Sequence, residues 1–237
     1  MSVLELGHEM TPLGELTLRR RLEPILDNRE VFEVKLGDEY LMSSLFTESE
    51  RQLATLGLAP LNGNLDVLIG GLGLGYTAAE ALKNANVNRL LVIDLFRAVI
   101  DWHEARLIPN GDVLTADVRC ELRQGDFFAL ARTGFDANDP ERKFDAVLLD
   151  IDHSPEHYLD LENRSLYTTR GLTAIQNQLK PNGTFALWSN DAASEDFTAH
   201  LRTVFATATV HNVEFPNPYT GSRSVNSVYV AQTNGGS

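Results

Sequence analysis

The 237-residue sequence predicts an α/β fold: a mainly parallel sheet with helices on both faces, a C-terminal antiparallel hairpin and a small N-terminal β-hairpin region. Three observations lead to that class. From Leu65 onward, short apolar runs alternate with stretches of helical spacing, as strands joined by crossover helices require. The last two apolar runs, 209–215 and 224–231, have no helical stretch between them and are expected to pair antiparallel. Before residue 50 the runs are short, alternating or apolar, and split by turn residues, which is hairpin patterning.

Taken in order, residues 16–18, 31–36 and 40–42 read as strands separated by Asp27-Asn28 and Gly37-Asp38, giving an N-terminal β-hairpin region over 1–50. From Thr47 the spacing turns helical, with Leu53, Leu56 and Leu58 following a Thr-Glu-Ser-Glu start suited to an N-cap. Residues 51–237 then form one layered domain. Residues 65–69 are a strand, followed by a glycine-rich turn and a helix over 77–83. A strand at 90–93 leads into a helix over 98–107 that carries Trp102 on its core side. Residues 121–123 read as a short strand before Gly125-Asp126, and 144–149 as a strongly buried one. A helix over 168–179 is stopped by Lys180-Pro181-Asn182-Gly183, and a strand at 185–188 precedes a helix over 195–205.

Bulk composition narrows the function. A net charge of −13 offers no cluster of Lys and Arg to neutralise phosphates, which argues against nucleic acid; the short run Arg19-Arg20-Arg21 is flanked by acids. The acidic surface serves solubility first and also tolerates a cationic substrate. One cysteine, Cys120, excludes an internal disulfide and any Cys-rich metal site. No apolar run approaches the roughly 20 residues that span a bilayer, and the start MSVLELGHEM lacks a basic stretch and an apolar core. The expectation is a cytoplasmic protein with no membrane partner.

The strongest local signal is Gly70-Gly71-Leu72-Gly73-Leu74-Gly75, directly after a strand and before a helix. Glycines let backbone approach a ligand closely, and the helix start offers free N–H donors. Asp94 ends the next strand, 19 positions after Gly75, where a carboxylate can accept hydrogen bonds from ribose hydroxyls. Together they predict a Rossmann-like nucleoside site. The spacing Gly73 to Ala78 also satisfies a dinucleotide pattern, so NAD(P) stays open at this point. In Gly125-Asp126-Phe127 the acid either accepts from an adenine amino group, with Phe127 or Phe128 beside it, or caps a helix.

Asp150-Ile151-Asp152-His153-Ser154-Pro155 follows the most apolar strand. Carboxylates and an imidazole at a strand end are costly to bury unless they face solvent or a ligand. Asp150 is the expected catalytic residue, orienting an ammonium and helping to take its proton, with Asp152 or His153 assisting. A metal is not expected, because hard cations want more oxygen ligands than this cluster supplies. His157 is a weaker relay candidate. His103 and His200 are expected to be surface or half-buried. Trp188-Ser189-Asn190-Asp191 either lines the substrate pocket or merely connects strand to helix.

These residues resemble the polyamine aminopropyltransferases, the spermidine synthase family, within the wider class I methyltransferase-like fold. The hairpins, the glycine loop, Leu91-Val92-Ile93-Asp94, Gly125-Asp126-Phe127, the strand ending in Asp150 and Leu179-Lys180-Pro181-Asn182-Gly183 fall in the family's order. The resemblance implies that Asp94 holds ribose, Asp126 adenine, and that Asp150 is catalytic. It further implies a decarboxylated S-adenosylmethionine donor, a polyamine or other amine acceptor, and a homodimer through the N-terminal hairpins. Departures are visible. The family's loop aspartate is Leu74 here, its next glycine is Tyr76, its Tyr-His-Glu segment is replaced by Leu41-Met42-Ser43-Ser44-Leu45, and His153 stands where a second acid is expected. With Leu74 in place of an acid that would repel the donor's carboxylate, S-adenosylmethionine itself and methyl transfer are the rival expectation. An NAD(P)-dependent oxidoreductase and a non-catalytic binding protein are the others.

Overall fold

The structure, a computed structural model, describes residues 3–136, 139–151, 154–155 and 161–236. Strands β1 (Val3–Thr11), β2 (Gly14–Glu23), β3 (Arg29–Leu36) and β4 (Glu39–Ser43) form an antiparallel sheet in sequence order. Leu16, Leu18, Val31 and Val34 are buried on its inner side. Strand β1 was not foreseen, because most of its side chains are exposed and its apolar signal is weak. What anchors it is Gly7: a Cβ there would come within 2.3 Å of Trp102 Nε1, so bare backbone lies against the tryptophan of helix α3 (Arg97–Glu104).

The second sheet contains β5 (Leu65–Gly70), β6 (Val87–Asp94), β7 (Cys120–Gln124), β8 (Phe144–Leu149), β9 (Leu179–Ser189), β10 (Thr207–Asn217) and β11 (Ser222–Gln232). Their order is β10-β11-β9-β8-β5-β6-β7. From β7 to β9 all pairings are parallel, while β11 runs antiparallel to both β9 and β10. A central parallel strand is covered on both faces, which is why Val67-Leu68-Ile69, Leu90 to Ile93 and Ala146 to Leu149 are continuously apolar. Side chains alternate, so Val67, Ile69, Val92 and Leu148 pack into one core, and Leu68, Leu91, Ile93 and Val147 into another.

Helices α1 (Glu48–Leu58), α2 (Tyr76–Leu82), α3 and α4 (Gly111–Ala116) contribute to the first core. Helices α5 (Phe127–Thr133), α6 (Thr169–Asn177) and α7 (Glu195–Leu201) contribute to the second. This is the expected α/β class, with its mainly parallel sheet, antiparallel C-terminal hairpin and N-terminal hairpin sheet. Several boundaries moved, the largest shift being at the start of β9. Helix α6 stops at Asn177, and β9 already begins at Leu179, because the Pro181-Asn182-Gly183 segment is a bulge within the strand: Phe144 pairs Leu179 but Ala146 pairs Thr184. The short helix α4 went unread, being too brief for a periodic signal, whereas α5 is the helix that the capping reading of Asp126 requires.

From β5 the chain runs outward through β6 and β7, then returns to the other side of β5 with β8 and β9. The crevice at the carboxyl ends of β5 and β8 is therefore the switch point where open α/β sheets bind ligands. Among the described residues no helix is long and apolar enough to cross a membrane.

Candidate active site

The carboxyl ends of β5, β6, β7 and β8 converge on one cavity. Gly71, Gly73, Asp94, Asp126, Phe127 and Asp150 line it, joined by Leu41 and Met42 from β4, Glu50 from α1, Arg132 from α5 and Trp188 from β9.

The glycine loop is shaped by backbone contacts. The N–H of Gly71 donates to Ile93 O at 2.8 Å, and the N–H of Gly75 donates to Leu72 O at 2.7 Å, closing a tight turn. Gly71 has φ 93°, and a Cβ there would lie 2.0 Å from the Asp150 carbonyl oxygen, so the β5 and β8 loops touch backbone to backbone. The other two predicted glycines do different work. A Cβ on Gly70 would enter the Phe127 ring at 2.5 Å, and Gly75 is the left-handed N-cap of α2, packed on Leu114 and His103. Neither is among the cavity-lining residues. Leu74, at the loop position where the resembling family has an acid, is fully buried in the first core, and its N–H donates to Met42 Sδ at 3.0 Å.

Asp94 is 9% exposed and ties the loop to its own strand: Oδ2 accepts from the Leu72 N–H at 2.9 Å and Oδ1 from the Phe96 N–H at 2.8 Å. Burial pushes its carboxyl above the usual range, while the N–H groups of Phe96, Leu72 and Gly73 pull it back. For Asp126 both sequence readings coexist. Its Oδ1 caps α5, accepting from the N–H groups of Phe128 at 2.9 Å and Ala129 at 3.1 Å, and the residue also lines the cavity beside Phe127.

Asp150 is held by the Thr77 hydroxyl, which donates to its Oδ2 at 2.6 Å, while its N–H donates to Gly70 O at 2.7 Å. Desolvation at the cavity wall pushes the Asp150 carboxyl up to about 6, against the opposing pull of Thr77. Asp152 and His153, and likewise His157, lie outside the described residues. Among the described residues no group of three or more His, Cys, Asp or Glu is arranged to hold a metal ion.

Sequence reasoning missed Glu50. Thr47 and Glu50 match the Thr-x-x-Glu capping box, in which the glutamate turns back to the helix start. Here Thr47 makes no side-chain cap bond, and Glu50 instead lines the cavity at only 9% exposure. Burial first, and the nearby Asp150 carboxylate second, push its carboxyl up to about 8. The signal was available in the spacing: Glu50 sits on the same helical stripe as Leu53, Ala54, Gly57 and Leu58, all buried. His103 is a correction. Expected at the surface or half-buried, it is completely buried beneath the loop, its Nδ1–H donating to Val99 O at 2.8 Å, and burial lowers its pKa so that it stays neutral.

Four carboxylates therefore face the cavity, those of Glu50, Asp94, Asp126 and Asp150, against the single lining guanidinium of Arg132 among the described residues. Such a wall suits a cationic ligand.

Known proteins share this fold, and the sequence likeness is to one family. No family model matches the chain. A polyamine aminopropyltransferase from Pyrobaculum calidifontis is 28% identical over 161 residues, covering 67% of this chain and 54% of that protein. Polyamine aminopropyltransferase 2 of Pseudomonas aeruginosa is 28% identical over 162 residues, covering 64% of this chain and 43% of the relative. The chain thus spans about half the length of these curated relatives. Among solved structures, a spermidine synthase in complex with the transition-state analogue AdoDATO superposes with a TM-score of 0.73 at 19% identity, over 97% of this chain and 74% of that one. The spermidine synthase of Thermotoga maritima gives 0.71 at 18% identity, over 97% and 73%. The family resemblance read from the motifs stands, and the shared fold extends over nearly the whole chain.

Proposed function

We propose that this chain is an aminopropyltransferase-like enzyme, moving an aminopropyl group from decarboxylated S-adenosylmethionine to an amine or polyamine. The observation that carries the reading is the assembly of the glycine loop, Asp94, Asp126 and Asp150 around one acidic cavity at the switch point of the sheet. The names of the curated relatives point the same way. Residues 51–237 form the catalytic part in this reading, and residues 1–50 lend Leu41 and Met42 to the wall.

The bare backbone at Gly71 and Gly73 lets the donor approach closely. Asp94, oriented by the N–H groups of Leu72 and Phe96 on its two oxygens with that of Gly73 nearby, keeps lone pairs for the ribose hydroxyls. Asp126 keeps Oδ2 for the adenine amino group because both cap bonds fall on Oδ1, and Phe127 packs alongside. Asp150, oriented by Thr77, faces the attacking amine. A sulfonium already carries the positive charge of a good leaving group, so alignment supplies most of the acceleration. The donor without its carboxylate is the better match to a wall of four carboxylates, which would repel the carboxylate of intact S-adenosylmethionine.

The test is incubation of the protein with each donor and a polyamine panel, read by mass spectrometry. Release of 5′-methylthioadenosine with an aminopropylated amine is the expected result. Release of S-adenosylhomocysteine instead makes the protein a methyltransferase, and no product from either donor removes the transferase reading.

A further inference from the structure

We infer that Glu50 is the second carboxylate of an ammonium subsite shared with Asp150, holding the attacking amine of the acceptor and taking its proton. The inference rests on the transferase reading above for its chemistry, but its geometry stands apart from it. Glu50 is nine-tenths buried and lines the cavity, and among the described residues the donor to its carboxylate is its own backbone N–H, with no side chain answering it. Its neighbour Arg51 is spent elsewhere, donating to Glu80 Oε2 at 3.1 Å and to Thr47 Oγ1 at 3.3 Å and lying over the Tyr76 ring. Thr77 joins the two acids, donating to Asp150 Oδ2 at 2.6 Å while standing 3.3 Å from the backbone carbonyl of Glu50. Among the described residues the wall also holds an unanswered donor, the buried Trp188 Nε1–H.

A buried carboxylate answered only by its own backbone N–H is expensive to ionise, and a second acid beside it makes it more so. The groups acting on Glu50 are Asp150 at the end of β8, Tyr76 on α2, and Arg51 and Glu48 on its own helix. With Arg51 engaged, no cation among the described residues pairs with either acid, and an ammonium ion supplies one. The step balances without any further reactant. The substrate ammonium gives one proton to the Glu50 carboxylate and becomes the free amine. Its lone pair forms the new N–C bond while the C–S bond breaks, and that bond's electrons return to sulfur, leaving a neutral thioether and a secondary ammonium product. Asp150, stabilised as the anion by Thr77, holds the amine throughout.

Calorimetric titration of 1,4-diaminobutane into the protein saturated with 5′-methylthioadenosine, in phosphate and in Tris at pH 7.5, separates binding from proton transfer. Wild type is expected to bind the diamine and release up to about one proton, because the cation draws the shared proton off the pair. Glu50→Gln cannot ionise; it is expected to weaken diamine binding at least tenfold and abolish the proton release, with methylthioadenosine affinity unchanged. Glu50→Ala guards against an amide that substitutes as an acceptor. In turnover, Glu50→Gln raises KM for the amine more than it lowers kcat. Diamine binding and proton release equal to wild type in both variants overturn the role of Glu50. Product formation by wild type is scored separately: its absence removes the transferase reading, while loss of diamine binding in Glu50→Gln still establishes the cation subsite.

Discussion

Replacing Gly71 by alanine is the sharpest test of how the site is built. The residue has φ 93°, and the added Cβ would lie 2.0 Å from the carbonyl oxygen of Asp150, a backbone atom that cannot rotate away. Holding a non-glycine residue there costs about 1–3 kcal/mol, and the overlap adds an overpacking penalty of about 1–3 kcal/mol. The sum, roughly 2–6 kcal/mol, corresponds in a chain of this size to a fall in melting temperature of roughly 4–24 °C. Gly73→Ala is the internal control. Its φ is 49°, and the new Cβ would meet Met42 Sδ at 2.7 Å, the far end of a flexible side chain that can swing aside. About 1–2 kcal/mol, or roughly 2–8 °C, is expected there. Both variants are measured by circular-dichroism melting, with methylthioadenosine titrated afterwards at a temperature where each remains folded. Gly71→Ala is expected to lose the nucleoside, because the loop must leave β8. A Gly71→Ala protein melting within roughly 2 °C of wild type, or a ranking in which Gly73→Ala is the worse, refutes the backbone contact between the two loops.

The paired acids give a pH dependence of stability. Their carboxyls stand raised to about 6 for Asp150 and about 8 for Glu50, so the native state keeps protons that the unfolded chain releases. Their contribution is fully present below the ordinary carboxylate range and is lost as pH rises through about 6 and about 8. The melting temperature of the ligand-free protein is expected to fall between those limits, and Glu50→Gln to flatten the slope; a curve rising over that range contradicts it. Thr77→Val removes the hydroxyl that donates to Asp150 at 2.6 Å. A charge-assisted hydrogen bond of about 1.5–3 kcal/mol predicts a loss of roughly 10- to 150-fold in kcat/KM, with the acidic limb of the pH-rate profile moving upward; an unchanged limb denies Thr77 its positioning role. The Cys120 thiol, pushed up to about 12 chiefly by burial, is expected to label slowly with a disulfide reagent at pH 8 and quickly in denaturant. Equal rates in both conditions show that the β7 edge is open.

The sequence carried the fold far because strands here are buried on both faces, and continuous apolar runs bounded by glycine and acid are hard to mistake. Gly71, Gly73, Asp94, Asp126 and Asp150 were legible because each sits at a strand end, where local chemistry and position coincide. What the sequence concealed came from elsewhere. Strand β1 shows little apolar alternation because its anchor is an absence, the missing side chain of Gly7 against Trp102. His103 looked like a surface residue on an amphipathic helix until the glycine loop was laid over it. Glu50 was hidden by a competing local motif, the capping box, which tertiary structure overrode.

That override separates two kinds of information within one cavity. Nucleoside recognition is written at the ends of consecutive strands, where topology alone brings the residues together. Amine recognition, if Glu50 serves it, is written on the buried stripe of a helix that precedes the first strand of the parallel sheet, with no sequence neighbour to announce it. The stripe position has a thermodynamic consequence. A leucine at 50 would continue the apolar row of Leu53, Ala54, Gly57 and Leu58 and stabilise the ligand-free protein, whereas the glutamate weakens it most where its carboxylate ionises. Stability given up at one buried position on a cavity wall is the usual mark of function rather than folding. An ammonium ion between Glu50 and Asp150 would return that stability on binding, so acceptor affinity and native-state stability are two readings of the same pair of charges.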